Sequence, residues 1–119
     1  MSDLTKFLLA RIAEDEVVAR GAQADAMVGA RWKHWTADAY EEIQAATLSA
    51  TRRTLAECEA KRRIVELAEE ASSLDMQVDS EFRVGPRDEV SEPYVGDVIL
   101  RALAQPYADH PDFNPAWRV

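Results

Sequence analysis

Near the end of this sequence, Asp109, His110 and Asp112 form the only compact set of polar residues that includes a histidine. A carboxylate next to an imidazole could carry out acid–base chemistry or help to bind a metal ion. The same side chains could instead hydrogen-bond the backbone of a turn before Pro111. We favour the turn, and a binding surface or a catalytic site at these residues remains an alternative.

The other residues that could carry chemistry stand apart from one another. His34, the second histidine, lies between Trp32 and Trp35, and two large aromatic residues this close usually anchor a connection against the core. Whether His34 approaches His110 is left open. Cys58 is the only cysteine and falls within a helical pattern, so we expect a buried thiol. Because the common phosphate-loop, zinc-protease and paired-cysteine motifs are missing, we predict no catalytic residue, no metal site and no cofactor.

The chain is acidic, with a formal net charge of -8, and has one basic cluster at Lys61, Arg62 and Arg63. Nucleic-acid binding depends on cationic side chains that displace counterions from phosphates, so we do not expect direct binding. Glu57 and Glu59 can pair with the cluster along a helix, which predicts a solvated face. A site for a phosphate or an acidic partner is the alternative. The net charge would also suit a basic protein partner or an acidic mimic of DNA.

Composition predicts a folded chain that forms one domain over residues 1–119. Hydrophobic residues make up 47% of the sequence and charged residues 30%, with a mean hydropathy of -0.33, as is typical of globular proteins. No apolar run approaches the roughly 20 residues that a bilayer span needs, and the N-terminal segment does not resemble a secretory signal peptide. We therefore expect a cytoplasmic protein without membrane contact.

The first predicted element is an amphipathic helix from Asp3 to about Arg20. Asp3 can accept hydrogen bonds from the free N–H groups of the opening turn. Gly21 can end the helix, because a residue without Cβ takes the left-handed conformation at low cost. The apolar residues recur at helical spacing and are Leu4, Phe7, Leu8 and Ile12.

The second predicted element is a long helix from about 37 to 71, a segment without glycine or proline. Thr36 or Asp38 can cap its start. Such a helix would be longer than one small globule. It therefore either breaks near 47–54, where threonine and serine lower helix propensity, or packs against a second copy in a homodimer.

Two further elements follow the long helix. Residues 76–84 alternate in part between apolar and polar, which indicates a short strand, a hairpin arm or an extended segment. A turn is expected at 85–88, and Pro93 suits the first turn of a last helix that Pro106 ends. One face of this helix should be buried, with Val95, Val98, Ile99, Ala102 and Leu103. The predicted fold class is therefore mainly α: a small helical domain with one long central helix or a helical hairpin.

Residues 106–119 are predicted to form an irregular aromatic strap. They contain Tyr107, Phe113 and Trp117 among several prolines. Proline disfavours helix and strand alike, while aromatic rings at this density need a place to bury their area. We therefore expect the tail to pack across the helices.

The C-terminal segment also carries a specific motif. Residues 100–113 read Leu-Arg-Ala-Leu-Ala-Gln-Pro-Tyr-Ala-Asp-His-Pro-Asp-Phe, and residues 116–118 read Ala-Trp-Arg. Together they resemble the C-terminus of a family of small proteins of unknown function from actinobacteria and their phages. Residues 57–64, Glu-Cys-Glu-Ala-Lys-Arg-Arg-Ile, are similar to the central helix of that family, and residues 4–16 to its opening helix.

The sequence departs from that family at two places that suggest metal binding in other members. Many members carry a His-rich segment before the central helix motif and a Cys-x-x-Cys-like element before the last helix. Residues 46–51 contain no histidine here, and residues 81–94 contain no cysteine. A metal site in those members therefore cannot be carried over to this chain.

We predict a non-enzymatic protein-interaction module from the acidic composition, the long helix and the missing catalytic motifs. The resemblance bears on origin only, and with it the hypothesis becomes a phage or prophage accessory protein that acts on a host protein. The alternatives are a small metal-dependent or acid–base enzyme that uses Asp109 and His110, and an acidic DNA mimic. The candidate binding residues are Asp109, His110, Asp112, Tyr107, Trp117, Lys61, Arg62 and Arg63.

Overall fold

The computed structural model describes residues 1–28 and 36–119 of the chain. These residues form helices α1 (Asp3–Val28), α2 (Ala37–Phe82) and α3 (Val95–Ala104), followed by short 3-10 turns at Gln105–Tyr107 and Pro115–Trp117. No strand occurs in these two ranges. The mainly α-helical fold with one long helix and an irregular C-terminal stretch, as predicted from the sequence, is confirmed.

Helix α1 begins with a serine cap and extends beyond its predicted end. The Ser2 hydroxyl accepts a hydrogen bond from the Thr5 backbone N–H at 3.1 Å, so Ser2 takes the capping role that the sequence suggested for Asp3. The helix continues through Gly21, and the predicted end near Arg20 is wrong. The alanines that follow Gly21 are strong helix formers and offset the low helix propensity of glycine.

Helix α2 is continuous over 46 residues. The Thr36 hydroxyl caps its start by accepting a hydrogen bond from the Ala39 N–H at 3.2 Å. The break considered near 47–54 does not occur. Instead, the Thr51 and Thr54 hydroxyls donate to carbonyls of the preceding turn at 3.2 and 3.1 Å, which satisfies them within the helix.

The C-terminal part of α2 occupies the segment for which the alternation suggested a strand. The helix runs past Ser72 to Phe82, so the end near 71 and the strand or extended segment over 76–84 are wrong. Ser72 is buried on the side of α2 that contacts α3. The helix therefore still has a packing partner at the point where the sequence predicted its end. Met76, Val78 and Phe82 are exposed side chains of the helix, and Val84 is exposed after its end.

Contacts divide the chain into two compact units, which we call the hairpin unit (Ile12–Ala60) and the tail unit (Met1–Arg11 with Lys61–Val119). In the hairpin unit, the Gln44 amide donates to the Ala26 carbonyl at 3.0 Å and so joins α2 to α1. The buried side chains of this unit are mostly small, and they include Ala19, Ala26, Thr51 and Cys58. The prediction of a buried thiol at Cys58 is confirmed. One domain over the whole chain stays a prediction.

In the tail unit, α3 packs on α2 through its smallest residue. A Cβ added at Gly96 would collide with the Ala68 carbonyl oxygen and the Ser72 hydroxyl, so the two helix backbones approach closely at this point. The buried residues of α3 are Gly96, Leu100 and Ala104.

The buried face of α3 therefore differs from the predicted one. Val95 is 56% exposed and Val98 is 50% exposed, although their spacing suggested burial. The close approach at Gly96 decides the helix rotation, because only this narrow face lets the backbones meet. Larger side chains on the neighbouring face would hold the helices apart.

We expect Gly96→Ala to lower the free energy of unfolding by about 1–3 kcal/mol, because the added methyl group overpacks the contact with α2. Gly21→Ala is the matched control. Nothing lies within 4 Å of a Cβ added at Gly21. The same change there should therefore raise the free energy of unfolding by about 0.5–1 kcal/mol through helix propensity alone. Urea unfolding followed by circular dichroism measures both variants, and equal effects would contradict the close contact.

Two bidentate ion pairs hold the segment between α2 and α3 in place. The Arg87 guanidinium donates to both Asp79 carboxylate oxygens at 2.6 and 2.8 Å. Arg83 donates to both carboxylate oxygens of Glu92 at 2.9 and 2.8 Å. Gly85, with a φ of 88°, supplies the left-handed residue of the predicted turn.

These ion pairs perturb the titration of their carboxylates. Hydrogen bonding from Arg87 holds the pKa of Asp79 below its usual value, and hydrogen bonding from Arg83 does the same for the pKa of Glu92. Carboxyl groups with lowered folded-state pKa values stabilise the fold above their unfolded pKa. That stability is lost as the pH falls through the folded-state pKa.

We expect Asp79→Asn to lower the melting temperature at pH 7, because the variant loses the ion pair with Arg87. The difference between the original chain and the variant should shrink as the pH falls below about 4, since protonation removes the same charge. Thermal unfolding between about pH 3 and pH 7 checks this. A difference that stayed constant over this range would show that the ion pair does not contribute to stability.

Candidate functional site

Four rings of the C-terminal tail surround one residue of α1, and we call this group the ring cluster. The Phe7 ring lies 6.3 Å from Tyr107, 5.7 Å from His110, 5.9 Å from Phe113 and 5.1 Å from Trp117, measured between ring centroids. Most of these contacts are edge-to-face, the arrangement that aromatic quadrupoles favour. The predicted strap is therefore confirmed, with Phe7 as its anchor.

Short turns bring the tail rings to Phe7. The His110 N–H donates to the Tyr107 carbonyl at 2.9 Å, and the Phe113 N–H donates to the His110 carbonyl at 3.0 Å. The Asn114 side chain then accepts from the Ala116 N–H at 3.0 Å and opens the last turn. These local bonds satisfy a backbone whose prolines prevent a regular ladder.

His110 takes part in this turn structure. Its Nδ1 accepts a hydrogen bond from the Asp112 backbone N–H at 3.0 Å. The Arg11 guanidinium contacts both nitrogens of the same imidazole. The turn that we favoured from the sequence is confirmed, although His110 rather than Asp109 supplies its side-chain acceptor. Asp109 is exposed.

A cleft of about 420 Å³ lies beside the ring cluster, between the first turns of α1 and the tail. Arg11 is 9% exposed at its side chain, lies 5.1 Å from the Phe7 ring centroid, and stands 3.8 Å from the Asp112 carboxylate, which is 75% exposed. The lining residues are Asp3, Lys6, Phe7, Ala10, Arg11, Asp112, Asn114 and Trp117.

Both basic and acidic side chains line this cleft. Lys6 and Arg11 could attract an anionic group, while Asp3 and Asp112 on the same walls oppose one. The imidazole of His110 faces Arg11 and accepts a backbone hydrogen bond through Nδ1, so neither feature prepares it to act as a general base.

The structure separates the basic cluster into different surroundings. Lys61 donates to the Tyr107 hydroxyl at 3.2 Å and thereby joins the edge of the ring cluster. Arg62 lines a second cleft of about 470 Å³, together with three glutamates. Arg63 pairs with Glu66 at 2.9 Å on the exposed surface. These three cations therefore do not form one phosphate-sized pocket.

Arg11 and Lys6 line the cleft but were not among the site residues predicted from the sequence. Arg11 stands one helical turn after Phe7 in an otherwise apolar stripe, and a charged residue at such a position is a signal that the sequence contained. Lys6 had no comparable signal, because an exposed lysine on an amphipathic helix is ordinary.

Two sequence predictions lie outside the described residues. These predictions concern His34, Trp32 and Trp35, which belong to the segment 29–35, so the distance between His34 and His110 is not described.

Within residues 1–28 and 36–119, no three His, Cys, Asp or Glu side chains group so that they could hold a metal ion. None of the helices in these ranges is long and apolar enough to span a bilayer.

A second candidate surface lies on α2 within the tail unit. Five large apolar side chains, each between 38% and 76% exposed, follow one side of this helix, and we call them the outer row: Ile64, Leu67, Leu74, Val78 and Phe82. The side of α2 that the chain itself covers carries Val65, Ala68 and Ser72. At 3.6 residues per turn the outer row lies about 100° around the helix from the covered side.

The described residues define a mainly α-helical protein with an aromatic tail held against its first helix. A model for DUF6221, a family of unknown function, matches residues 1–119, and the chain belongs to this family. No curated protein matches the chain, and no solved structure does. The family membership carries no activity with it, so functional inference depends on the two surfaces.

Replacing Phe113 with alanine should lower the free energy of unfolding by about 3–5 kcal/mol, because its buried ring contacts both Phe7 and Trp117. Val84→Ala is the control, since Val84 is almost fully exposed, and its effect should stay within about 0.5 kcal/mol. Chemical unfolding monitored by tryptophan fluorescence measures both. A Phe113→Ala variant as stable as the control would show that the tail does not hold the helices.

Proposed function

We propose that this protein is a non-enzymatic protein-interaction module that binds its partner through the outer row of α2. The observation that carries the proposal is the exposure of all five side chains of this row in a folded chain. Exposed apolar side chains scattered singly are ordinary on protein surfaces, whereas a contiguous apolar strip marks a surface that another molecule covers.

The two apolar sides of α2 support this proposal. The side that carries Val65 and Ala68 is covered by other parts of the tail unit, and one buried side is all that packing within the chain requires. The outer row is additional to it and runs over several helical turns. Polar residues on a surface helix usually occupy this side, so the apolar residues there need a different explanation from stability of the single chain.

The contacts of the ring cluster favour a structural role for the tail over a catalytic one. An acid–base enzyme would require His110 to exchange protons with a substrate, but its Nδ1 bonds the Asp112 backbone and its ring faces the Arg11 cation. The DNA mimic draws support from the net charge alone. Asp79 near the end of α2 and Glu92 after it are each paired with an arginine, which lowers the negative field that a mimic would use.

The resemblance of the sequence motifs extends the proposal to the biological setting. A phage or prophage accessory protein of an actinobacterium, acting on a host protein in the cytoplasm, would fit an interaction module without catalytic residues. Cell fractionation tests the cytoplasmic location, which stays a prediction.

A photo-crosslinking side chain placed at Leu74 tests the surface directly. Leu74 is exposed, so the replacement should leave the fold intact, as circular dichroism can verify. We expect illumination in cells to link position 74 to one discrete protein species. The same side chain at Val17, which is exposed on α1, is the control and should give no such product. Equal products at both positions, or none at position 74, would refute binding through the outer row.

A further inference from the structure

We infer that the outer row binds a basic amphipathic helix of the partner protein, meaning a helix whose apolar stripe is bordered by lysine and arginine. This inference rests on the proposed function, since it names the chemistry of the partner for the same surface. The apolar side chains of the row contact the stripe of the partner, and acidic side chains beside the row face its basic residues.

Residues 64–82, which contain the outer row, hold most of the net charge of the chain. This segment has six acidic residues and no basic one, whereas the rest of the sequence has sixteen acidic and fourteen basic residues. Six of the eight net negative charges therefore lie on the part of α2 that carries the row. A positively charged partner is attracted to this part of the molecule more than to the rest of its surface.

Three of the six acids border the outer row. At about 100° per residue, Glu70 and Glu81 lie about 60–85° around the helix from the middle of the row on one side, and Asp75 lies about 60° from it on the other. Glu70 and Glu81 are exposed, and neither is in an ion pair with any part of the chain that the structure describes. Asp75 is half-buried and accepts a hydrogen bond from the Val95 N–H at 3.1 Å.

The other three acids of the segment have partners within the chain. Glu66 and Asp79 each pair with an arginine, at 2.9 and 2.6 Å. Glu69 accepts a hydrogen bond from the Thr5 hydroxyl. The carboxylates that remain for the cations of another molecule are therefore the ones beside the row, which places the attractive charge next to the apolar contact.

The spacing of the row favours a helix as the binding element of the partner. Ile64, Leu67, Leu74 and Val78 follow alternating steps of three and four residues once Ala71 is included. A second helix presents its own side chains at the same period, so the two helices can pack together over several turns. Residues 64–82 span about 27 Å, which corresponds to about five turns of a partner helix.

The sign of the charge argues against two other occupants of the row. A helix that lies on a membrane carries lysine and arginine beside its apolar face, because the surfaces of these membranes are anionic. A second copy of this chain would bring the same acids against the row, and like charges that face each other destabilise a contact. A basic helix is attracted where both of these are repelled.

Binding of labelled synthetic peptides to the full chain, measured by fluorescence anisotropy, tests the inference. The first peptide has three heptads with leucine at the a and d positions and lysine beside them. The second replaces each lysine with glutamate, and the third replaces each leucine with serine. We expect the first to bind with a dissociation constant on the order of micromolar, and the other two at least about tenfold more weakly. Equally tight binding of the second or the third would overturn the inference.

Two charge variants locate the attraction, near 0.1 M salt, where charges act over about 10 Å. Glu70→Gln with Glu81→Gln removes the exposed acids beside the row and should weaken binding of the first peptide about fivefold. Glu41→Gln with Glu42→Gln removes the same charge at exposed positions near the start of α2, and should change the dissociation constant by less than about twofold. Circular dichroism verifies that both variants are folded. Equal effects of the two variants would overturn the inference.

Vesicles made of equal parts of phosphatidylglycerol and phosphatidylcholine, and light scattering of the chain by itself, test the other two occupants. We expect no cosedimentation with the vesicles and no self-association through the row. Binding to the vesicles would overturn the inference. A mass of twice 13.3 kDa that Leu74→Glu returns to 13.3 kDa would also overturn it, because a second copy would then occupy the row.

The crosslinking experiment at position 74 separates this inference from the proposed function. Mass spectrometry of the discrete product identifies the segment of the partner that lies against Leu74, and we expect an amphipathic helix that contains lysine or arginine. A linked segment without basic residues overturns the inference and leaves the proposed function intact. The absence of a product refutes the proposed function and the inference with it.

Discussion

Phe7 contacts four rings of the C-terminal tail, and this contact holds a segment that has no regular hydrogen-bond ladder of its own. The prolines of the tail remove donors and limit the backbone to short turns. Burial of aromatic area therefore supplies the stabilisation that secondary structure cannot. Arg11, the turn at His110 and the cleft beside Trp117 all depend on the tail being held at this position.

The close contact at Gly96 has a comparable effect on α3. Because the backbones of α2 and α3 meet there, α3 turns its narrowest side inward and leaves Val95 and Val98 at the surface. The side of α2 that faces Gly96 also carries small residues, Ala68 and Ser72. The outer row lies on a different side of α2 and stays exposed, and it is the surface that the proposed interaction uses.

Much of the fold could be predicted from the sequence, and the misses have specific causes. Helix starts were placed within a few residues, because capping side chains and apolar periodicity are local properties. Helix ends were placed too early at Gly21 and Ser72, since propensities of single residues are weak against continued packing. The buried face of α3 was misassigned because hydrophobic periodicity favours large side chains, while two of its three buried residues, Gly96 and Ala104, are small.

The candidate site, like the fold, was predicted from the sequence only in part. Sequence by itself determined that the chain would be helical and that its aromatic, proline-rich tail would pack on the helices, because both follow from local backbone restriction and apolar content. Only the tertiary structure decided that Phe7 anchors the rings, that His110 faces Arg11, and that one apolar side of α2 stays exposed. These results depend on contacts between residues far apart in the chain, and periodicity within one helix carries no information about which side a distant segment covers.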